Sequence, residues 1–411
     1  VTSTSHKPLD LLIVGAGPAG LSAAIVGARY GLHVLVLDEF PEPGGRMLGQ
    51  FHEENGGWWV GKREAERLVA ECKALGVDIC CSLSVYGITR TDRHWIVRTT
   101  QGSKSAVNVL IATGAAEIPC PCPGWTLPGV MSIGAAQVMT NVHYVKPGER
   151  GLIIGANMLA LAIARELAVS GVVLIGIVLP SPGPLAGADA SPRQQLKRLL
   201  GLASLAPSTL LRIGGKLANS LGLAGVALRL LPRKGLNIWG VPLQLRTAAV
   251  SINGEQQVES VTLANLTHDG KMITGSEREV KVDFVALAGG LYPLAELAAV
   301  AGCPFDFAVE LGGHIPLHDE QMRTPLEGLY VAGNITGIES AQVAMAQGRL
   351  AALSICGEMN RLGEYPDKLL QDGLADVRQV RASALIQFQP GISLAREQIY
   401  QKFRAFQETR V

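Results

Sequence analysis

The chain has 411 residues, 48 % of them hydrophobic and 17 % charged, with 36 basic against 35 acidic side chains and a formal net charge of +1. That length allows two or three domains with sizeable cores, and the charge balance excludes bulk electrostatics as a reason to bind nucleic acid or membrane. Glycine, at 48 residues, exceeds the usual ~7 %, which fits many tight turns and close approaches of backbone to a ligand.

The opening residues VTSTSHKPLD have neither the basic start nor the apolar core of a signal peptide, so no export is expected. Leu11 to Val14 then form an apolar run of the kind found in a parallel strand buried on both faces. Gly15, Ala16, Gly17, Pro18, Ala19 and Gly20 follow at once, leading a helix that ends at Gly31. A second apolar strand, His33 to Leu37, delivers Asp38 and Glu39. This is a complete strand–helix–strand unit with an acid ~20 residues past the glycines, the pattern of an adenine-dinucleotide site. Gly15 permits the tight turn, Gly17 has no Cβ to hold a pyrophosphate away from the helix N-terminus, and Gly20 brings the helix against the sheet. Asp38 can accept hydrogen bonds from the adenosine ribose.

Three later segments favour FAD over NAD. Pro43-Gly44-Gly45-Arg46 resembles the Gly-Gly pair that glutathione-reductase-type flavoproteins carry against the nucleotide. Ala112, Thr113 and Gly114 close an apolar strand like the one this group sets near the flavin. Gly328 to Asn334 resembles the strand that brings an Asp to the ribityl chain, but Gly333 is followed here by Asn334, an amide that keeps the hydrogen bonding and loses the charge. The next stretch, GIESAQVAMAQGRLAA, resembles the helix beneath the isoalloxazine, with Ser340, Ala341 and Gln342 nearest the ring.

From Arg150 the design repeats in weaker form: strand GLII, the turn Gly155 to Ala160, a helix to Ser170 and the strand VVLIGIV. Asn157 stands at the second glycine position, and the strand ends in Leu179-Pro180 with neither an acid nor an arginine for a ribose. NAD(P) binding there is disfavoured, and the unit reads as a scaffold. Ala190 to Gly254 holds no acid but nine basic residues, among them Arg193, Lys197, Arg198, Arg212, Lys216, Arg229, Arg233 and Lys234. Core helices with solvated basic edges, a docking face for a partner protein, and peripheral contact with an anionic membrane all fit this pattern.

Seven scattered cysteines, Cys72, Cys80, Cys81, Cys120, Cys122, Cys303 and Cys356, form no disulfide framework and suit a reducing cytoplasm. Neither the Cys80-Cys81 nor the Cys120-Pro121-Cys122 pair has the CxxC or CxxxxC spacing of a flavin-linked disulfide. His314 and His318 read as surface histidines, no metal signature is present, and no residue stands out as a base for taking a substrate proton.

Pro123-Gly124-Trp125-Thr126-Leu127-Pro128-Gly129-Val130-Met131, then SIGAAQVM and VKPGERGLIIGA, resemble the FAD-dependent α-subunits of bacterial heteromeric amino-acid dehydrogenases. That group includes opine oxidase, proline and hydroxyproline dehydrogenase and hydrogen cyanide synthase, and the α-subunit of sarcosine oxidase is a relative. The resemblance runs from about Asp10 to about Leu353 and implies an α/β fold with two dinucleotide-binding domains, glutathione-reductase-like, in which a Rossmann-like insert interrupts a discontinuous FAD domain. Residues 1–118 and 290–411 would form the FAD domain, the latter ending in a helical tail with the amphipathic stretch SLAREQIYQKFRAF, and 119–289 the degenerate insert. The implied partners are a β-subunit with its own amino-acid-oxidase-type flavin, where the C–N bond is oxidised, and a small iron–sulfur or electron-transfer subunit; electrons then leave to a non-NAD acceptor. The complex would be cytoplasmic or membrane-associated. Departures at Cys120, Cys122 and Asn334, and the lack of a cysteine-rich module after Pro366, argue against an iron–sulfur centre held by these residues. A stand-alone NAD(P)H-dependent flavin reductase and a non-catalytic subunit propped by FAD, ADP or ATP are the competing readings.

Overall fold

Leu11, Leu12 and Ile13 are fully buried, and the strand they form, β1 (Leu9–Val14), runs parallel to β2 (Val34–Leu37) on one side and β8 (Gly102–Ile111) on the other. Burial on both faces is why this run is continuously apolar instead of alternating. The computed structural model describes residues 9–54, 57–184, 186, 190–200, 235–384 and 391–409. The chain divides into two units, Val1–Leu48 with Gly61–Ala116 and Leu291–Val411, and Gly49–Val60 with Glu117–Gly290.

The first unit carries a seven-stranded sheet in the order β5 (Asp78–Cys80), β2, β1, β8, β7 (Trp95–Thr99), β6 (Val85–Arg90), with β21 (Leu329–Val331) pairing parallel to β8. Two helices matter most for the site, α1 (Pro18–Arg29) and α7 (Ala341–Glu358). They lie so close that a Cβ on Gly348 would overlap the Ala19 carbonyl oxygen. Helix α2 (Gly61–Ala74) buries Gly61, Ala65, Leu68 and Cys72, one stripe at helical spacing. After a short α6 (Glu296–Val300) and the hairpin β19 (Phe305–Ala308)–β20 (Gly313–Pro316), the tail forms α8 (Pro366–Ser383) and α9 (Ile392–Glu408). The amphipathic stripe of α9 buries Ile392, Ala395 and Ile399 with Leu311, Ile315 and Leu317.

The second unit holds an eight-stranded sheet ordered β10 (Val130–Ser132), β17 (Phe284–Leu287), β11 (Arg150–Ile154), β12 (Val173–Pro180), β14 (Val241–Asn253), β15 (Ser260–Asn265), β16 (Arg278–Lys281), with β13 (Leu236–Ile238) paired to β14. Its described helices are α3 (Ile133–Asn141), α4 (Met158–Val169) and α5 (Pro192–Leu200). The hairpin β3 (Phe51–Glu54)–β4 (Gly57–Val60) also belongs to this unit. Asn141 Nδ2 donates to Gly49 O at 2.7 Å, and Arg165 pairs with Glu53 at 2.9 Å. Buried Glu166 accepts from Gln137, Asn141 and the Phe51 N–H. The remaining described strands are two short ones, β9 (Ala115–Glu117) and β18 (Leu291–Pro293).

One expectation is corrected. His314 is exposed, but His318 is 1 % exposed. Its Nδ1 meets Pro316 O at 2.8 Å and its ring stands edge-on to Tyr400. Burial pushes its pKa down to about 4. Nothing in the residues around His318 shows that the distant α9 covers it. Of the basic stretch, α5 carries Arg193, Lys197 and Arg198 outward from buried Gln195 and Leu196. Arg212, Lys216, Arg229, Arg233 and Lys234 lie outside the described residues, as do the first eight residues.

Candidate functional site

The turn between β1 and α1 is built by backbone demands that only glycine meets at two places. Gly15 has φ +108°, and a Cβ there would overlap the Ala112 carbonyl oxygen; a Cβ on Gly20 would overlap Gly15 O. Gly17 differs. It is the N-cap of α1 in extended conformation (φ −78°, ψ −174°), no side chain caps the helix, Pro18 begins it, and a Cβ on Gly17 would meet no protein atom within 4 Å. The positive end of this twelve-residue helix therefore has no side-chain cap and no protein atom packed beside the Gly17 Cα, an arrangement that suits a phosphate.

Around this turn the structure gathers the other motif segments of the unit. Gly44 N donates to Ala16 O at 2.8 Å, and with φ +130° and +56° Gly44 and Gly45 lean on the turn; a Cβ on Gly45 would lie 3.2 Å from Gly17 Cα. Ala112 N donates to Val14 O at 2.8 Å. A Cβ on Gly333 (φ +82°) would come 3.0 Å from Ala19 Cβ. Arg46 Nε donates to Ala115 O at 2.8 Å, and Thr113 Oγ1 to Leu294 O at 2.5 Å, while Leu294 N returns a bond to Gly114 O. Ser340 is the N-cap of α7, its hydroxyl accepting from Val343 N at 3.3 Å, so Ala341 and Gln342 open that helix.

Two details were not legible in the motif. Asp38, 8 % exposed, already accepts from Ala16 N at 2.6 Å and from Phe40 N at 2.8 Å, one bond on each oxygen. Burial raises its pKa, partly offset by these two bonds. It acts as a clamp on the glycine turn, and the neighbouring Glu39 is the exposed acid. Gln347 is almost fully buried; its Oε1 accepts from Gly333 N at 2.9 Å and its Nε2 donates to Thr336 Oγ1 at 3.0 Å, so it fixes the loop that presents Asn334. Asn334 Oδ1 accepts from Glu339 N at 3.1 Å. An amide in an otherwise apolar part of α7, shortly after Gln342, was the signal for Gln347.

In the second unit Gly155 (φ +113°) approaches Ala288 O as Gly15 approaches Ala112. The helix start is different. Asn157 Oδ1 accepts from Ala160 N at 2.9 Å and its Nδ2 donates to Ala288 O at 2.8 Å, so a side chain occupies the position that Gly17 leaves open. Cys120 and Cys122 are both buried, and burial pushes the Cys122 thiol up to about 11. Among the described residues no helix is long and apolar enough to cross a membrane.

Residues 9–202 and 229–348 match the pyridine nucleotide-disulphide oxidoreductase family. The chain belongs to that family. It is a flavin-dependent oxidoreductase by class, and the family supports a flavin as its cofactor. The chain is 32 % identical over 367 residues to an opine oxidase subunit of Agrobacterium tumefaciens (strain Ach5), covering 85 % of this chain and 66 % of that one. It is 28 % identical to hydrogen cyanide synthase subunit HcnB of Pseudomonas aeruginosa, covering 84 % and 70 %. The fold is that of L-proline dehydrogenase from P. horikoshii, with a TM-score of 0.63 at 20 % identity over 89 % of this chain and 59 % of that chain. These relatives bear out the resemblance to heteromeric amino-acid dehydrogenase subunits and the fold with two dinucleotide-binding domains. The chain spans about two thirds of the length of the Agrobacterium protein.

Proposed function

We propose that this chain is the FAD-binding α-subunit of a multi-subunit amino-acid or opine dehydrogenase. The observation that carries this reading is the contrast between the two helix starts: uncapped at Gly17, capped by the Asn157 side chain. The first suits a cofactor pyrophosphate; the second disfavours NAD(P). Gly15 to Gly20, Gly44 and Gly45 would hold the pyrophosphate and ribose side, with Asp38, which also holds the turn, and the exposed Glu39 as the acids for the ribose hydroxyls. Arg46, Ala112, Thr113 and Gly114 would border the ring system. Gly333 and Asn334 would meet the ribityl chain, and Ser340, Ala341 and Gln342 the pyrimidine end, where the N-terminus of α7 favours negative charge.

FAD bound there would supply a two-electron acceptor. This chain's residues bind and orient it, and the assigned contacts include no group positioned to take a substrate proton. Relatives named as subunits support a complex. In this reading, C–N oxidation to an imine takes place on a β-subunit with its own flavin. Electrons then pass through this chain, or through a small iron–sulfur or electron-transfer subunit, to a non-NAD acceptor. Nucleic acid has no part, and any membrane contact is peripheral.

The test is to purify the full chain, extract its ligand and record a visible spectrum, then add NADH or NADPH without oxygen. The reading predicts FAD and no fast bleaching. A colourless adenine nucleotide would favour the non-catalytic alternative, and rapid bleaching the stand-alone reductase.

A further inference from the structure

Glu339 immediately precedes the Ser340 N-cap of α7, and two arginines from the C-terminal tail converge on it. Arg381, on α8, donates through Nε to both carboxylate oxygens at 3.1 Å and through Nη2 to Oε2 at 3.0 Å. Arg396, on α9, has Nη2 2.9 Å from Oε1, an ion pair with the same carboxylate. The side chains of Glu339, Arg381 and Arg396 are 12 %, 17 % and 8 % exposed.

Among the described residues, the groups beside this triad do not restore balance. His318 is held neutral near pH 7, its pKa pushed down to about 4 by burial and by the two arginines. Tyr400 stays a phenol, with burial raising its pKa. Arginine keeps its charge in such surroundings. Two guanidinium groups therefore face one carboxylate, and a surplus of one positive charge is enclosed in the protein. Buried ion clusters of this kind are poor stabilisers, because desolvation offsets much of the attraction, so stability alone does not account for it. Its location does more. The Glu339 backbone N–H donates to Asn334 Oδ1 and the next residue caps α7, so the surplus lies directly behind the segment Asn334–Ser340 and adds to the positive end of the helix.

We propose that the Glu339–Arg381–Arg396 triad raises the reduction potential of the flavin by holding an uncompensated positive charge behind the N-terminus of α7. The inference rests on the assignment of FAD to this unit. A ring that gains negative charge on reduction is stabilised by fixed positive charge already in place. The three side chains are positioning residues for that charge and are not assigned contact with substrate.

The experiment is a spectroelectrochemical titration of the FAD-loaded full chain and three variants, with FAD stoichiometry measured for each. Arg396→Met takes the triad from one positive charge to none, Glu339→Gln to two, and Arg396→Lys leaves it unchanged. At a fixed applied potential the ratio of reduced to oxidised flavin should fall at least tenfold in Arg396→Met, about 30 mV for a two-electron couple. It should rise in Glu339→Gln and stay near wild type in Arg396→Lys. A purely structural role would move both charge-changing variants the same way, since each breaks the same pair. Shifts in one direction, or no shift, in variants that carry full FAD would overturn the proposal. If Arg396→Met does not fold, Glu339→Gln decides alone, and a lowered or unchanged midpoint refutes the idea. A wild-type chain without flavin would instead overturn the cofactor assignment, and the inference with it.

Discussion

Replacing Gly17 by Ala separates the ligand's needs from the protein's. The residue has φ −78° and ψ −174°, extended backbone that alanine adopts freely, and its added Cβ would meet no protein atom within 4 Å. Gly→Ala at such a position stabilises a fold by about 0.4–1 kcal/mol through the unfolded chain. The same methyl would stand before the uncapped N–H groups of α1. Losing one or two charge-assisted hydrogen bonds to a pyrophosphate costs about 1.5–3 kcal/mol each, which weakens binding by about tenfold to a hundredfold or more. Thermal unfolding of the apoprotein and a fluorescence titration with FAD give the two readouts. The expected result is an unchanged or higher melting temperature together with weaker FAD binding. Wild-type affinity in the variant would refute the assignment of this turn to the cofactor; a strongly destabilised apoprotein would refute the claim that Gly17 serves only the ligand.

Gly20→Ala should do the reverse of Gly17→Ala, destabilising the apoprotein, because its Cβ would overlap Gly15 O; a melting curve like wild type would contradict the close packing of turn and helix. Asn157→Ala removes the cap of α4 and the bond to Ala288 O, and should lower stability by about 1–2 kcal/mol in denaturant titration. It should not confer reduction by NADH. Glu166 has its pKa raised from 4.5 to about 7, by burial against the opposing hydrogen bonds of Gln137, Asn141 and Phe51. The folded state then binds the proton more tightly than the unfolded chain, so its contribution is full below pH 4.5 and is lost as pH rises towards 7. Glu166→Gln should flatten that decline, by at most about 3 kcal/mol, in unfolding measured across this pH range; an unaltered pH profile would show that Glu166 is not its source.

The glycine turn could be read in the sequence because its glycines answer to local backbone geometry: the positive φ of Gly15 and the overlap behind Gly20 are requirements of adjacent atoms. That Asn157 replaces the second glycine of the other turn was legible, whereas its bonds to Ala160 N and Ala288 O came from the structure. What could not be read depends on residues far apart in the chain. Asp38 has the right position for a ribose ligand, and what the motif did not show is that its two oxygens also accept from the Ala16 and Phe40 N–H groups. His318 lay in a polar-looking turn until α9 covered it with Tyr400. The hairpin Phe51–Val60 sits inside the first domain by sequence, but Glu166, Gln137 and Asn141 bind it into the second unit. The triad at Glu339 is assembled from three separate segments, and no spacing rule predicts it.

In the proposed assignment this chain holds FAD without oxidising substrate on its own. Anaerobic mixing tests it most directly, with L-proline or an opine added to the isolated FAD-loaded chain and to the same chain co-purified with its partner, while flavin absorbance is followed. Bleaching is expected only in the complex. Rapid bleaching of the isolated chain by either substrate would contradict it.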